Sequence, residues 1–144
     1  MAIVDVMRVQ VVSVEPSDSV AHAIQRMVDE SVGAVVVCEQ GRLLGIFSER
    51  DVLRLAAGTE SFRSKRVEEV MTRRLVSVAP DDDIAAVAHL MGKRRIRHVP
   101  VVEGDRLLGL VSARDVMGAL VERLWRTHDA EAHETARALL VPAG

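Results

Sequence analysis

Apolar positions along this chain switch repeatedly between a strand period and a helix period. Residues 10–14 (Gln-Val-Val-Ser-Val) read as a short strand, and Pro16-Ser17-Asp18-Ser19 supplies turn and N-cap residues behind it. Val20, Ala23, Ile24, Met27 and Val28 then recur at helical spacing, which predicts an amphipathic helix over 19–30. Residues 32–38 form a continuous apolar run rich in β-branched side chains, the pattern of a buried strand. Glu39-Gln40-Gly41 is a tight turn, and 42–47 returns as a second strand, giving a hairpin. Ser48 opens a helix with Val52, Leu53 and Leu55 on its apolar side. The unit is β-α-β-β-α.

The same order follows again. A strand at 75–78, a turn at Pro80-Asp81-Asp82-Asp83 and a helix to about Arg94 lead to paired strands at 96–102 and 106–111, with a helix from Ser112. A shift of 64 positions lays residues 5–56 on 69–120 without a gap, and 20 of the 52 pairs are identical. The matches come in blocks: Val6-Met7 on Val70-Met71, Val12-Ser13-Val14 on Val76-Ser77-Val78, Arg42-Leu43-Leu44-Gly45 on Arg106-Leu107-Leu108-Gly109. The last block is Ser48-x-Arg50-Asp51-Val52 on Ser112-x-Arg114-Asp115-Val116. Two copies are too few for a solenoid. They predict an α/β unit of two repeats packed about a pseudo-twofold axis, with any pocket at the junction occurring as a pair. The division is 1–57 for the first repeat, 58–66 for a polar linker, 67–120 for the second repeat and 121–144 for a C-terminal helical extension. That extension reads as a charged helix broken near Thr127-His128-Asp129, with Asp129 capping a last helix to Leu140 before Pro142. It has no counterpart in the first copy. We expect it to pack across a dimer or against its own pair, with Trp125 as its one aromatic anchor.

Composition narrows the function. Of 144 residues, 49% are apolar, so burial is not limiting and disorder is not expected. A net charge of −2 argues against a general nucleic-acid binder. Phe47, Phe62 and Trp125 are the only aromatic residues, too few for base stacking on single strands. Cys38 is the single cysteine and aligns with Val102 inside a strand, so it reads as core and fits a reducing compartment. No signal peptide and no apolar run of about 18–20 residues is evident, so a cytoplasmic protein away from membranes is expected.

Two constellations carry candidate chemistry. Each Ser-x-Arg-Asp sits where a strand turns into a helix. Ser and Asp alone fit a capping box, in which the Ser oxygen accepts from a first-turn N–H and the acid faces the positive helix end. Capping leaves Arg50 and Arg114 unexplained. With them, the turn offers free N–H groups and a guanidinium for phosphate, and a carboxylate suited to the two hydroxyls of a ribose. The second constellation is Lys93-Arg94-Arg95-Ile96-Arg97-His98-Val99-Pro100. Lys93 to Arg95 complement a helix C-terminus. Arg97 and His98 open a strand that should be buried, and their first-copy counterparts are Gly33 and Ala34. His128 and His133 lack the spacing and companions of a metal site, and Asp81-Asp82-Asp83 lacks the Gly and distal Glu of a calcium loop. Neither serine has a histidine at fixed spacing, so no triad is supported and no catalytic residue is assigned.

These residues resemble a known family. The order Val-Met … Val-Ser-Val-x-Pro … Met … Val-Pro-Val-Val … Leu-Leu-Gly-Leu-Val-Ser-x-Arg-Asp-Val is similar to the cystathionine-β-synthase (CBS) domain, and the tandem resembles a CBS pair, or Bateman module, of the stand-alone kind. The match covers residues 3–120. The resemblance implies two clefts that bind AMP, ADP, ATP or S-adenosylmethionine. It implies that Asp51 and Asp115 hold the ribose hydroxyls, with Ser48, Arg50, Ser112 and Arg114 at phosphate or ribose. Gly33, Ala34, Arg97 and His98 would line the clefts, together with Ile46 and Leu110 on the strands before the two turns. Val9 and Arg73 would cover the base. A flat homodimer is implied as well. The expected function is therefore regulation by ligand binding without catalysis. The alternative is a ligand-free interaction module working through its dimer and C-terminal helix, its regulated partner unnamed. The clefts should differ: Arg97, Arg114 and protonated His98 favour phosphate beside Asp115, while the Asp51 cleft has Arg50, with Arg73 reaching across.

Overall fold

The computed structural model describes residues 1–58 and 61–127. The expected break at His128-Asp129, the cap at Asp129, the last helix to Leu140 and its end at Pro142 lie outside the described residues, as does His133.

The first copy contributes β1 (Ser13–Val14), α1 (Val20–Asp29), β2 (Ala34–Glu39), β3 (Arg42–Ser48) and α2 (Glu49–Gly58). A short α3 (Val67–Val70) precedes α4 (Ile84–Arg94), β4 (His98–Glu103), β5 (Arg106–Ser112) and α5 (Ala113–Thr127). Local chemistry starts the helices where the sequence places them. Ser19 Oγ accepts from the His22 amide at 3.0 Å, and Asp83 accepts from the Ala85 and Ala86 amides at 3.0 and 3.4 Å. The apolar stripe of α1, Val20, Ala23 and Met27, is buried, as is that of α4, Ile84, Val87 and Met91.

The strands form one sheet in the order β1-β2-β3-β5-β4. Each hairpin is antiparallel, and both shift register at the same place, between Val37 and Cys38 and between Val101 and Val102. The hairpins join through a single register pair, Arg42 with Arg106. The second copy lacks a full counterpart of β1. There the expected strand at 75–78 shrinks to one parallel bridge, Val78 with Val101. The cause is local: the Val36 amide donates to Val12 O at 3.0 Å, but its counterpart is Pro100, which has no N–H to give.

Among the described residues, three apolar cores form the interior. One lies inside each copy, and a third, built on Ala34, Val36 and Ile46 with Leu75, Leu107 and Leu110, lies between them. The copies also exchange their leading segments. Ile3, in a 3-10 turn at Ile3–Asp5, is fully buried in the second copy's core; Val67 of α3 is fully buried in the first copy's core. Equivalent backbone bonds anchor both: Ile3 N to Asp82 O at 2.9 Å, and Val67 N to Asp18 O at 2.8 Å. Each buried side chain contributes about 1.5–3 kcal/mol of transfer free energy. The polar linker is not wholly solvated either, since Phe62 packs on the first copy's core. After Leu120, α5 continues without a break to Thr127, and the side chains of 121–127 are exposed.

Candidate functional site

The exchange brings each leading segment across the strand before the other copy's Ser-x-Arg-Asp turn. Arg8 pairs with Leu110 through two backbone bonds, Arg8 N to Leu110 O at 2.9 Å and Leu110 N to Arg8 O at 3.0 Å. Thr72 does the same with Ile46, at 2.9 and 3.1 Å. The repeated glycines permit this approach. A Cβ at Gly109 would lie 2.7 Å from Arg8 O, and one at Gly45 2.9 Å from Thr72 O.

The two turns then differ in their bonding. In the first, the Ser48 amide and the Ser48 hydroxyl both donate to Asp51 Oδ2, at 2.9 and 3.1 Å. In the second, the bonds are reciprocal: the Ser112 amide donates to Asp115 Oδ2 at 3.2 Å, and the Asp115 amide donates to Ser112 Oγ at 3.1 Å. The expected capping box is therefore complete at Ser112. At Ser48 the hydroxyl donates a hydrogen bond to the carboxylate instead of accepting one from the helix. Asp115 has a further neighbour, Arg8, whose Nε stands 3.6 Å from its Oδ2.

The strand entrances meet the same turns. Glu49 N donates to Gly33 O at 3.0 Å, and Ala113 N donates to Arg97 O at 2.7 Å. Ala34 lies opposite Ser48, and His98 opposite Ser112. Gly33 is small for a reason: a Cβ there would collide with the Glu49 carboxylate and meet His98 Cε1 at 3.3 Å. Burial holds the His98 imidazole below its ordinary value; Glu49 and Asp115 oppose that shift, and Arg97 adds to it. Near pH 7 His98 is thus neutral, and Arg97 and Arg114, both exposed, carry the charge at this entrance.

Two expected residues point elsewhere. Arg50 Nη1 donates to Arg95 O at 3.0 Å, so it spans from the first motif to the C-terminal end of α4 in the second copy. Arg73 Nη2 donates to Glu68 O, within α3, at 2.8 Å. Val9 is 71% exposed and lines a cavity of about 330 Å³ with Val11, Glu15, Val36, Cys38 and Leu107. The other candidate residues stand outside that cavity. Burial, then Glu15, raises the Cys38 thiol, keeping it protonated. Among the described residues no group of three or more His, Cys, Asp or Glu is placed to hold a metal. Arg8 and Glu49 are absent from the sequence-based set. Both stand where the copies differ, Arg8 against Thr72 and Glu49 against Ala113, the same signal that singled out Arg97.

Comparison with known proteins agrees with this architecture. The family model described as the CBS domain matches residues 3–58 and again 67–122. The mitochondrial CBS domain-containing protein CBSX3 of Arabidopsis thaliana is 38% identical over 110 residues, which cover 72% of this chain. The chain spans 53% of that relative's length. A crystal structure of a CBS-domain containing protein from Agrobacterium tumefaciens superposes with a TM-score of 0.77 at 32% identity, covering 83% of this chain and 98% of the other. The CBS domain pair of protein MJ0100, solved with 5′-methylthioadenosine and S-adenosyl-L-methionine, superposes at 0.78 over 85% of this chain and 98% of its own. Its 23% identity is a likeness of fold. With a family match on both repeats, the chain belongs to the CBS domain family and carries its domains as a tandem pair.

Proposed function

We propose that this CBS pair is a regulatory module that binds adenosine-type ligands, AMP, ADP, ATP or S-adenosylmethionine, in two clefts between its repeats. It acts by binding and not by catalysis. One observation carries the reading: at two equivalent strand-to-helix turns, an Asp carboxylate stands beside helix-start amides under a backbone segment from the other copy. In this reading Asp51 and Asp115 take the ribose hydroxyls. Ser112, Arg114, Arg97 and, once protonated, His98 take phosphate at the second turn, and Ile46, Leu110 and Val9 flank the base. Phosphorylated ligands prefer the Asp115 cleft, because Arg50 and Arg73 already bond backbone carbonyls on the other side. That protein MJ0100 was solved with two adenosine derivatives supports the ligand class. The output is a shift in shape or partner affinity on ligand binding. The repeats function as units 1–57 and 67–120, in a cytoplasmic homodimer with neither nucleic acid nor membrane as partner. The dimer is supported by exposed apolar residues at equivalent positions, Leu53 (72% exposed) on α2 and Met117 (63%) on α5.

Thermal unfolding against AMP, ADP, ATP and S-adenosylmethionine tests the reading. At about 100 times the dissociation constant a ligand stabilises by about 2.7 kcal/mol, a shift of several degrees. No shift with any of the four would favour the second reading, an interaction module working through Met117, Val121 and Leu124 on the exposed side of α5.

A further inference from the structure

The two carboxylates differ in what rests on them. Asp51 Oδ2 is held by neutral donors, the amide and hydroxyl of Ser48. Asp115 Oδ2 has only the Ser112 amide at 3.2 Å and the cation of Arg8, Nε at 3.6 Å. The equivalent of Arg8 is Thr72, without charge. Backbone pairing to Leu110 fixes where Arg8 starts, so its guanidinium moves only about its own side-chain bonds. The Arg8 side chain is 61% exposed, against 18% for Asp115. At 3.6 Å the contact is an ion pair and not a hydrogen bond, and a half-exposed pair of this kind contributes little to folding. It opens easily.

Opening it has consequences that depend on the ligand. A ribose that hydrogen-bonds Asp115 displaces Arg8 from the carboxylate. With a neutral nucleoside, the freed guanidinium stays in a cleft to which the proposed function also assigns Arg97 and Arg114, with no anion in exchange. With S-adenosylmethionine, net positive despite its carboxylate, it meets the sulfonium at the 5′ carbon, where AMP carries its phosphate. With a phosphorylated nucleoside it gains a charge-assisted acceptor. Building on the proposed function, we propose that Arg8 is a specificity-determining residue of the Asp115 cleft: it rests on Asp115 in the free protein and passes to the ligand's phosphate, selecting phosphorylated adenosine over adenosine and S-adenosylmethionine.

The test is calorimetry of the full chain, wild type, Arg8→Thr and Arg8→Lys, with AMP, adenosine and S-adenosylmethionine. Arg8→Thr installs the residue of the other copy. It should lower the ratio of AMP to adenosine affinity by about tenfold, the loss of one charged contact, and narrow the gap between AMP and S-adenosylmethionine. Arg8→Lys keeps the charge and should keep most of the ratio. Binding of both ligands with ratios within twofold of wild type in Arg8→Thr overturns the role of Arg8 and leaves the proposed function standing. Binding of adenosine by Arg8→Thr but not by wild type supports the displacement. Failure of wild type and variants alike to bind AMP, adenosine or S-adenosylmethionine overturns the role of Arg8, and failure with ADP and ATP as well overturns the proposed function.

Discussion

His98 stands where the second copy meets the first. It opens β4, lies opposite Ser112, and meets Glu49 of the first motif across the space left by Gly33. Burial keeps its folded value below the ordinary 6.5, despite Glu49 and Asp115. Between the folded value and about 6.5 the unfolded chain therefore holds more protons than the native one. Stability from this group is complete above about 6.5 and is lost as pH falls through the folded value. Melting temperatures of wild type should drop over that acidic window, and those of His98→Gln should drop less. Parallel pH profiles would remove His98 as the source. The glycines make a second contrast. At Gly33 a new methyl group meets the end of a flexible Glu49 side chain, which can swing aside. At Gly109 it meets the Arg8 carbonyl and Met7 Sδ at 2.9 Å, in a backbone pairing that cannot yield. Gly109→Ala should destabilise by about 1–3 kcal/mol in urea unfolding, and Gly33→Ala by less than about 1 kcal/mol. Equal costs would contradict the tight approach at Gly109.

Among the elements, the exchanged leading segments decide how the halves depend on each other. Ile3→Ala should cost about 2–5 kcal/mol. Its effect should appear in the second copy: hydrogen exchange should speed up over 84–91 before it does over 20–29. The reverse order would contradict the exchange. Nothing in the hydrophobic period forecasts it. Period and burial reveal that residue 3 or 67 is apolar, but not which copy receives it. The helices α1 and α4, the two hairpins and the Ser-x-Arg-Asp turns were legible, because each rests on local spacing and capping. The strand expected at 75–78 is reduced to one bridge, because an apolar run is also what the inter-copy core needs from Leu75, and Pro100 withholds the donor that would extend it. In the site, Ser112 and Asp115 interact as the motif implied, while Arg50 and Arg73 bond carbonyls that no motif spacing marks. Arg8 lies in no motif, and only the Arg8–Thr72 difference between the aligned copies marks it.

At the scale of the whole molecule, the pseudo-twofold axis turns one design into two strand-to-helix turns that are bonded differently. Leu53 and Met117, equivalent and exposed, with Val121 and Leu124 further along α5, are the exposed apolar side chains on which the proposed homodimer depends. Met117→Glu should convert a dimer to a monomer in sedimentation; a wild-type monomer, or a variant still dimeric, would contradict that interface. The ribose role of the repeated Asp is the claim on which the rest hangs. It is tested most directly by calorimetric titration of AMP into wild type and Asp115→Ala. A carboxylate holding two hydroxyls is expected to account for about 1.5–3 kcal/mol of binding, roughly a ten- to hundredfold loss of affinity in the variant. Its ligand-free fold should lose only the about 1 kcal/mol of a helix-start contact. AMP binding of equal strength to both proteins would contradict the assignment.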